Sequence, residues 1–278
     1  MNWRDNVITK KGFKYLNHIR RHFLLPFVTI KDYENRPPIL VNSFPKSGTH
    51  LLMQIVESLP DHSQYGNFLA STPSFSFKEV DPKRMAQSIL KILPGEIVGG
   101  HIHCSEEVKK AISQINCFHL FIFRDARDVT VSEAYYLGNM NRWHKMSKHF
   151  RALSTDLDRV KLSLYGMPDK NIDYPNVCER FAKYSDWLGS DNVICFKYED
   201  FISARREECL TLLVDKYLNF SKRSNSKSQL LDQMRKSIDP TKSHTFRSGK
   251  DQQWKKYYTN EMSEDFEKMS MKRKNINI

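Results

Sequence analysis

Short apolar runs alternate with helix-period stretches along most of the chain. Ile39-Leu40-Val41 is a buried-strand pattern bounded by Pro37-Pro38 and Asn42-Ser43. The loop Phe44-Pro45-Lys46-Ser47-Gly48-Thr49 follows. A helical pattern comes next, with Leu51, Leu52, Ile55, Val56 and Leu59 on one face and Pro60 as its stop. The alternation then repeats. Glu96–His101 predicts a strand, and Ser105 starts a helix with Glu106 and Glu107 in its first turn. Cys117–Phe123 predicts the strongest strand, Val129–Leu137 a helix, Asn192–Phe196 a further strand, and Leu210–Leu218 a helix. Strands alternating with helices predict an α/β domain. Its sheet is right-handed and mostly parallel, with ligands at the C-terminal ends of the strands.

No domain boundary interrupts this pattern. Residues 1–35 read as a basic lead-in with a helix over Phe13–Phe23, and 36–278 as one domain. Within it, the irregular segment near 139–176 reads as a helical insertion or lid. The chain of 278 residues is long enough to bury a large core. No apolar stretch approaches the roughly 20 residues that a membrane span requires, and Met1–Lys14 is charged throughout, unlike a signal peptide. Five cysteines without C-x-x-C spacing predict reduced thiols and no metal site. These features suit a cytoplasmic protein.

The net charge of +12 favours anionic ligands, whether nucleic acid, an acidic surface or a phosphorylated small molecule. The residues narrow the choice. A strand–loop–helix carrying Lys46, Ser47, Gly48 and Thr49 is built for phosphate: the helix N-terminus offers unpaired N–H groups, Gly48 permits close approach, and Lys46 supplies a cation. It is not a Walker A loop, because Lys46 precedes Gly48 and position 43 is Ser. That disfavours a nucleotide kinase. Arg124 ends the strongest strand, and Ser132 lies in the next helix, so both can grip a second phosphate. Asp125 and Asp128 can pair with Arg127 and cap that helix. A third segment, Arg247-Ser248-Gly249-Lys250 with Trp254, is basic and contains a glycine and a ring-stacking residue. A nucleic-acid binder would interleave aromatic and basic residues, whereas here the basic runs lie at the chain ends.

Together the three segments resemble the sulfotransferase family that uses 3′-phosphoadenosine 5′-phosphosulfate (PAPS) and releases 3′-phosphoadenosine 5′-phosphate (PAP). The resemblance covers about residues 38–265. The first segment looks like that family's 5′-phosphosulfate loop, and FRDARDVTVS its 3′-phosphate motif. RSGKDQQWKKYYT looks like a degraded form of its C-terminal motif, with Ser248 and Gln252 replacing a usual Lys and Gly. Phe196-Lys197-Tyr198-Glu199-Asp200 is similar to its strand-end motif. The resemblance implies a P-loop NTPase-like fold and sulfuryl transfer without a metal. Pro45, Lys46, Ser47, Gly48, Thr49 and His50 would hold the 5′-phosphosulfate, and Arg124 and Ser132 the 3′-phosphate. Tyr198 would approach the adenine, and Arg247, Ser248 and Gly249 would close over the nucleotide. Gly100-His101-Ile102 fits the family's catalytic base, with His103 as the alternative; Lys46 and Ser132 would complete the catalytic set.

The acceptor is a hydroxyl or nitrogen of a small molecule, as in natural-product tailoring. Phe75 and Phe77 could line its pocket, with His103, Glu133 and Tyr136. Glu133 would suit a cationic acceptor. Lys255, Thr259 and Glu264 are similar to a family dimer motif in which Asn260 replaces an apolar residue, which implies a monomer or a weak homodimer.

Overall fold

The computed structural model describes residues 16, 19, 23–169, 172–221, 224–239 and 250–272. The helix expected over Phe13–Phe23 lies largely outside them. Five parallel strands form the central sheet in the order β2-β3-β1-β4-β7. They are β1 (Ile39–Ser43), β2 (Ser63–Ala70), β3 (Glu96–His101), β4 (Phe118–Phe123) and β7 (Val193–Lys197). A two-stranded antiparallel ribbon, β5 (Met167–Asp169) with β6 (Ile172–Tyr174), lies in the 139–176 segment. That segment also holds helices Ser147–Ala152 and Asp156–Tyr165, which makes it largely helical.

Both faces of the sheet are covered, and the period-2 alternation shows it. Ile39, Val41, Leu120 and Ile122 pack with helices Thr49–Glu57 and Arg206–Ser221. Leu40, Val98 and Phe121 face the opposite layer, with helices Glu106–Gln114 and Val177–Ser185. Each such fully buried aliphatic side chain contributes about 1.5–3 kcal/mol. Because β1 and β4 are buried on both faces, Ile39-Leu40-Val41 and Leu120-Phe121-Ile122 read as continuous apolar runs.

Strand β2 was not expected. Its burial is uneven, its register on β3 shifts between Gln64 and Phe68, and it carries Gly66 at φ 73°. It is an edge strand paired only with β3, so it shows neither a clean apolar run nor clean alternation. Elsewhere the boundaries move by a few residues. Helix Ala126–Tyr135 starts earlier than the apolar spacing indicates, because Asp125 caps it by accepting from Arg127 N at 2.9 Å. Ser105 caps the next-to-β3 helix as expected, accepting from Val108 N.

One core group sets a pH dependence. His119 of β4 is buried, its ring edge-on to Trp187 at 4.6 Å, and neither ring nitrogen has a hydrogen-bond partner among the described residues. Burial pushes its pKa down to about 3. The folded state therefore binds fewer protons than the unfolded chain between about pH 6.5 and 3, and stability falls as pH drops through that window. His119→Leu should melt higher than the native protein at pH 5, with the gap narrowing at pH 8. Equal melting points at pH 5 would contradict this.

Candidate active site

β1, β3 and β4 end on one side of the sheet, and their C-terminal loops converge there. Since β1 is central, with β3 and β4 on either side, this is the switch point at which an open parallel sheet binds ligands. A cavity of about 850 Å³ opens over these ends.

The β1 loop forms the floor of one half. Lys46 has φ 68° and Gly48 φ 99°, two left-handed residues that turn the backbone into helix Thr49–Glu57. A Cβ on Gly48 would lie 2.5 Å from Tyr198 Cδ2, so the loop packs on that ring only as glycine. Ser47 is fully buried behind the cavity wall, and its Oγ has no hydrogen-bond partner among the described residues. A buried unpaired hydroxyl beside a helix N-terminus is a donor set for an anionic oxygen. Pro45, Lys46, Gly48, Thr49 and His50 all line the cavity. The Lys46 ammonium lies 3.8 Å from the centroid of the Tyr136 ring.

Arg124, at the end of β4, is 7% exposed. Its Nη2 donates to Asp128 at 3.3 Å and to the Lys250 carbonyl at 2.9 Å. Its Cζ sits 4.7 Å from the Tyr198 ring centroid, and its buried Nε makes no hydrogen bond among the described residues, with Glu199 Oε1 4.0 Å away. Burial raises the Glu199 carboxyl above its usual range. Arg124, Ser132 and Tyr198 line the same half of the cavity as the β1 loop. Lys46 and Thr49 on one part of the cavity wall and Arg124 on another fit a ligand with two separate anionic groups, as a bis-phosphorylated nucleotide has.

His101 ends β3 beside that loop. Its Nδ1 is 3.1 Å from the Ser43 carbonyl and 3.1 Å from Ser43 Oγ, which in turn lies 2.6 Å from Thr49 Oγ1. A carbonyl can only accept, so Nδ1 carries the proton and Nε2 keeps a free lone pair. Phe68 packs against the ring at 4.9 Å. Burial pushes the imidazole pKa down to about 4, and the neighbouring His50 and Lys46 lower it further against the Ser43 hydrogen bond. The His101 imidazole is thus neutral at physiological pH.

Sequence reasoning missed the residues that hold this base in place. The Asn42 side chain clamps β1 to β3, accepting from Ile102 N at 2.8 Å and donating to Ile102 O at 3.1 Å. Trp187 Nε1 donates to the same carbonyl. An Asn inside an apolar strand is the signal that could have found it, since a buried amide needs partners.

The other half of the cavity is mixed. His103 binds Glu79 through Nδ1 at 2.8 Å, and Lys183 reaches the same carboxylate at 2.7 Å. Neither Glu79 nor Lys183 was singled out from the sequence. Phe77, His103, Glu133 and Tyr136 line the cavity, but Phe75 does not: it points to solvent, 77% exposed. The expected match of Glu133 to a cationic acceptor is corrected. Burial works to raise that carboxyl, yet Arg180 at 2.7 Å, Ser163 at 2.6 Å and Tyr174 at 2.8 Å hold it ionised and below its usual range. Its charge is already matched by a buried partner.

The third segment is only partly placed. Arg247, Ser248 and Gly249 lie outside the described residues. Trp254, expected to cover a flat ring, instead packs under Arg127 at 3.9 Å, and its N donates to Asp128 at 3.0 Å. Asp128 therefore serves Arg124 and Trp254, while Asp125 takes Arg127 at 2.7 Å. Thr259 caps the last helix, accepting from Met262 N. Among the described residues, no group of three or more His, Cys, Asp or Glu is arranged to hold a metal ion. No helix there is long and apolar enough to cross a membrane.

Comparison with known proteins agrees with this geometry. No curated protein sequence matches the chain significantly. Among solved structures, the fold is similar to that of mouse sulfotransferase SULT7A1 complexed with PAP. The identity is 19%, the match covers 88% of this chain and 85% of that one, and the TM-score is 0.57. It is also similar to a retinol dehydratase in complex with androsterone and the inactive cofactor PAP, at 16% identity over 87% and 82% of the two chains, with a TM-score of 0.56. The model of the sulfotransferase domain matches residues 36–275. That match spans the whole α/β sheet and every element of the site, and the chain belongs to the sulfotransferase family of enzymes.

Proposed function

We propose that this enzyme transfers a sulfuryl group from PAPS to a hydroxyl or nitrogen of a small-molecule acceptor, with His101 as general base. The observation that supports it most is the neutral imidazole beside the anion loop, with Nδ1 held by the Ser43 carbonyl and the lone pair left on Nε2. When bound, PAPS supplies the sulfuryl group and leaves as PAP. The β1 loop, from Pro45 to His50, would hold its 5′ end, and Arg124 and Ser132 its 3′-phosphate. Tyr198 would pack on the adenine, and Arg247, Ser248 and Gly249 would cover the nucleotide.

The chain's own residues divide the work. His101 Nε2 takes the acceptor's proton as the acceptor oxygen or nitrogen becomes a nucleophile. Lys46 offsets negative charge that builds on the departing side. Ser43 keeps the imidazole in the productive tautomer, and Asn42 fixes the backbone next to it. Phe68 excludes water from one ring edge. His103, bound to Glu79, sits farther into the acceptor half and serves there as a polar wall.

A cavity of about 850 Å³ shared by donor and acceptor supports a small acceptor. Its other walls, Phe77 with the Glu79–Lys183 pair, suit a neutral ring carrying polar groups. A direct test incubates the enzyme and PAPS with a panel of phenols, alcohols and amines and weighs the products. The reading expects one acceptor class heavier by a single SO₃ group, formed one for one with PAP. PAP formation with no modified acceptor across all classes would contradict the small-molecule assignment.

A further inference from the structure

We infer that His103 and His144, held in opposite tautomers, select a polyhydroxylated acceptor. Besides its reacting group, that acceptor carries a hydroxyl that donates to His103 and an oxygen that accepts from His144. The inference deepens the proposed sulfuryl transfer and rests on it.

Local hydrogen bonds fix the proton on each ring. His103 Nδ1 lies 2.8 Å from Glu79 Oε1. Burial works to raise the Glu79 carboxyl, yet hydrogen bonds from Lys183 and His103 hold it below its usual range. An ionised carboxylate only accepts, so His103 carries its proton on Nδ1 and a lone pair on Nε2. His144 is the reverse case. Its Nδ1 lies 3.1 Å from Met146 N, and a backbone N–H only donates. Nδ1 therefore accepts, and the proton sits on Nε2. Burial lowers both imidazoles below the ordinary histidine value, so both are neutral at physiological pH. Among the described residues neither Nε2 makes a hydrogen bond, and both rings line the cavity.

One loop holds the pair together. The loop over 71–80 is closed at its base by Val80 N, which donates to the Ser71 carbonyl at 2.7 Å, and Ser71 Oγ accepts from His103 N at 3.0 Å. Within the loop, Glu79 binds His103, and Phe77 packs against His144 with ring centroids 5.4 Å apart. Lys145 N donates to the Ser74 carbonyl at 2.8 Å, which ties the His144 segment to the same loop. Phe77 itself has φ 51°, a left-handed conformation that a bulky residue rarely adopts. Strain of this kind concentrates at ligand clamps.

The placement matches the reacting centre. His101 precedes His103 by two residues, so their Cα atoms lie at most about 7 Å apart. A small ring that presents one hydroxyl to His101 can present another to His103, with Phe77 supplying an apolar wall for its carbon skeleton. An acceptor with a single hydroxyl leaves both ring nitrogens without partners, and a site built around hydrogen bonds discriminates strongly against such an analogue.

Two measurements on the full chain test this. Long-range ¹⁵N–¹H NMR of the ligand-free protein reads the tautomers directly: His103 should be protonated on Nδ1 and His144 on Nε2. The opposite tautomer at either position overturns the inference. Steady-state sulfation then compares catechol with phenol, and inositol with cyclohexanol, so that the two pairs separate a polyphenol from a polyol. In at least one pair the polyhydroxylated member should have the higher kcat/KM, by about 10-fold or more. His103→Leu and His144→Leu should each reduce that ratio by about 5- to 150-fold, the worth of leaving a polar partner unpaired. His144→Gln, whose amide N–H replaces the Nε2 donor, should retain more of the ratio than His144→Leu. Parity within both pairs in the native protein overturns the inference, as does sulfation of none of the four compounds. An equal fall for both members of a pair in His103→Leu also overturns it, because His103 would then serve every acceptor alike. PAP stabilisation of the same native protein separates the two levels: its absence brings down the sulfuryl-transfer reading, whereas its presence with parity brings down the acceptor assignment alone.

Discussion

Replacing His101 by alanine is expected to lower kcat by about 10²- to 10⁴-fold, the usual worth of a general base, while PAP affinity stays within about twofold of native. The imidazole lies beside the anion loop but touches it only through Ser43, whose hydroxyl keeps its partner Thr49 when the ring is gone. His101→Asn sharpens the result. Its amide can still donate to the Ser43 carbonyl but cannot accept the acceptor's proton, so it should be as inactive as alanine. Recovery of activity in the asparagine variant would make His101 a structural residue, and loss of activity in His103→Ala alone would move the base to His103.

The pH profile gives an independent reading of the same residue. Burial, with the neighbouring His50 and Lys46, places the free imidazole at about 4. A base works when unprotonated, so a lowered pKa extends activity towards acid. The acid limb of kcat/KM for PAPS, which reports the free enzyme, should therefore fall near pH 4. The limb of kcat should sit higher, because anionic groups of the bound donor favour the imidazolium. A kcat/KM limb at the ordinary histidine value would contradict the buried, Ser43-bound geometry.

Replacing Arg124 by alanine should weaken PAP about 10- to 150-fold, the span of a hydrogen bond to a charged group of about 1.5–3 kcal/mol. The guanidinium is nearly buried and already balances Asp128 and Glu199, so its loss also leaves those carboxylates facing the ligand. Adding Glu199→Gln to Arg124→Ala should recover part of the affinity. Arg124→Lys should not rescue it, since an ammonium lacks the planar guanidinium fork that grips a phosphate bidentately. ADP, which lacks the 3′-phosphate, discriminates local from general effects. Its weaker binding should change little, so the preference for PAP over ADP collapses. Equal weakening of both nucleotides would show that Arg124 supports the fold and not the 3′-phosphate.

The parts of the chain that were legible in sequence are those where one physical demand dominates. β1 and β4 are buried on both faces, so Ile39-Leu40-Val41 and Leu120-Phe121-Ile122 had to be apolar, with His119 the buried polar exception in β4. The anion loop had to carry a left-handed glycine and a cation between a strand and a helix, and Lys46, Ser47 and Gly48 announce that. The rest answers to several demands at once. Edge strand β2 pairs on one side only, and its bulged register blurs the alternation. The acceptor half is built by contacts across long separations. Glu79 with Lys183 and Glu133 with Arg180 are examples, and no local spacing shows which carboxylate is already spent. Phe75 and Phe77 look alike in sequence, yet one faces solvent and the other packs against Tyr174 at 5.8 Å.

The most direct test of the account is a titration of the full chain with PAP, followed by thermal unfolding, set against ATP with and without magnesium. Ligand at about 100 times its dissociation constant stabilises by about 2.7 kcal/mol, which raises the melting point of a domain this size by about 5–10 °C. The account predicts that rise with PAP, independent of magnesium, and none with ATP. A rise with magnesium and ATP but not with PAP would contradict it and point to phosphoryl transfer instead.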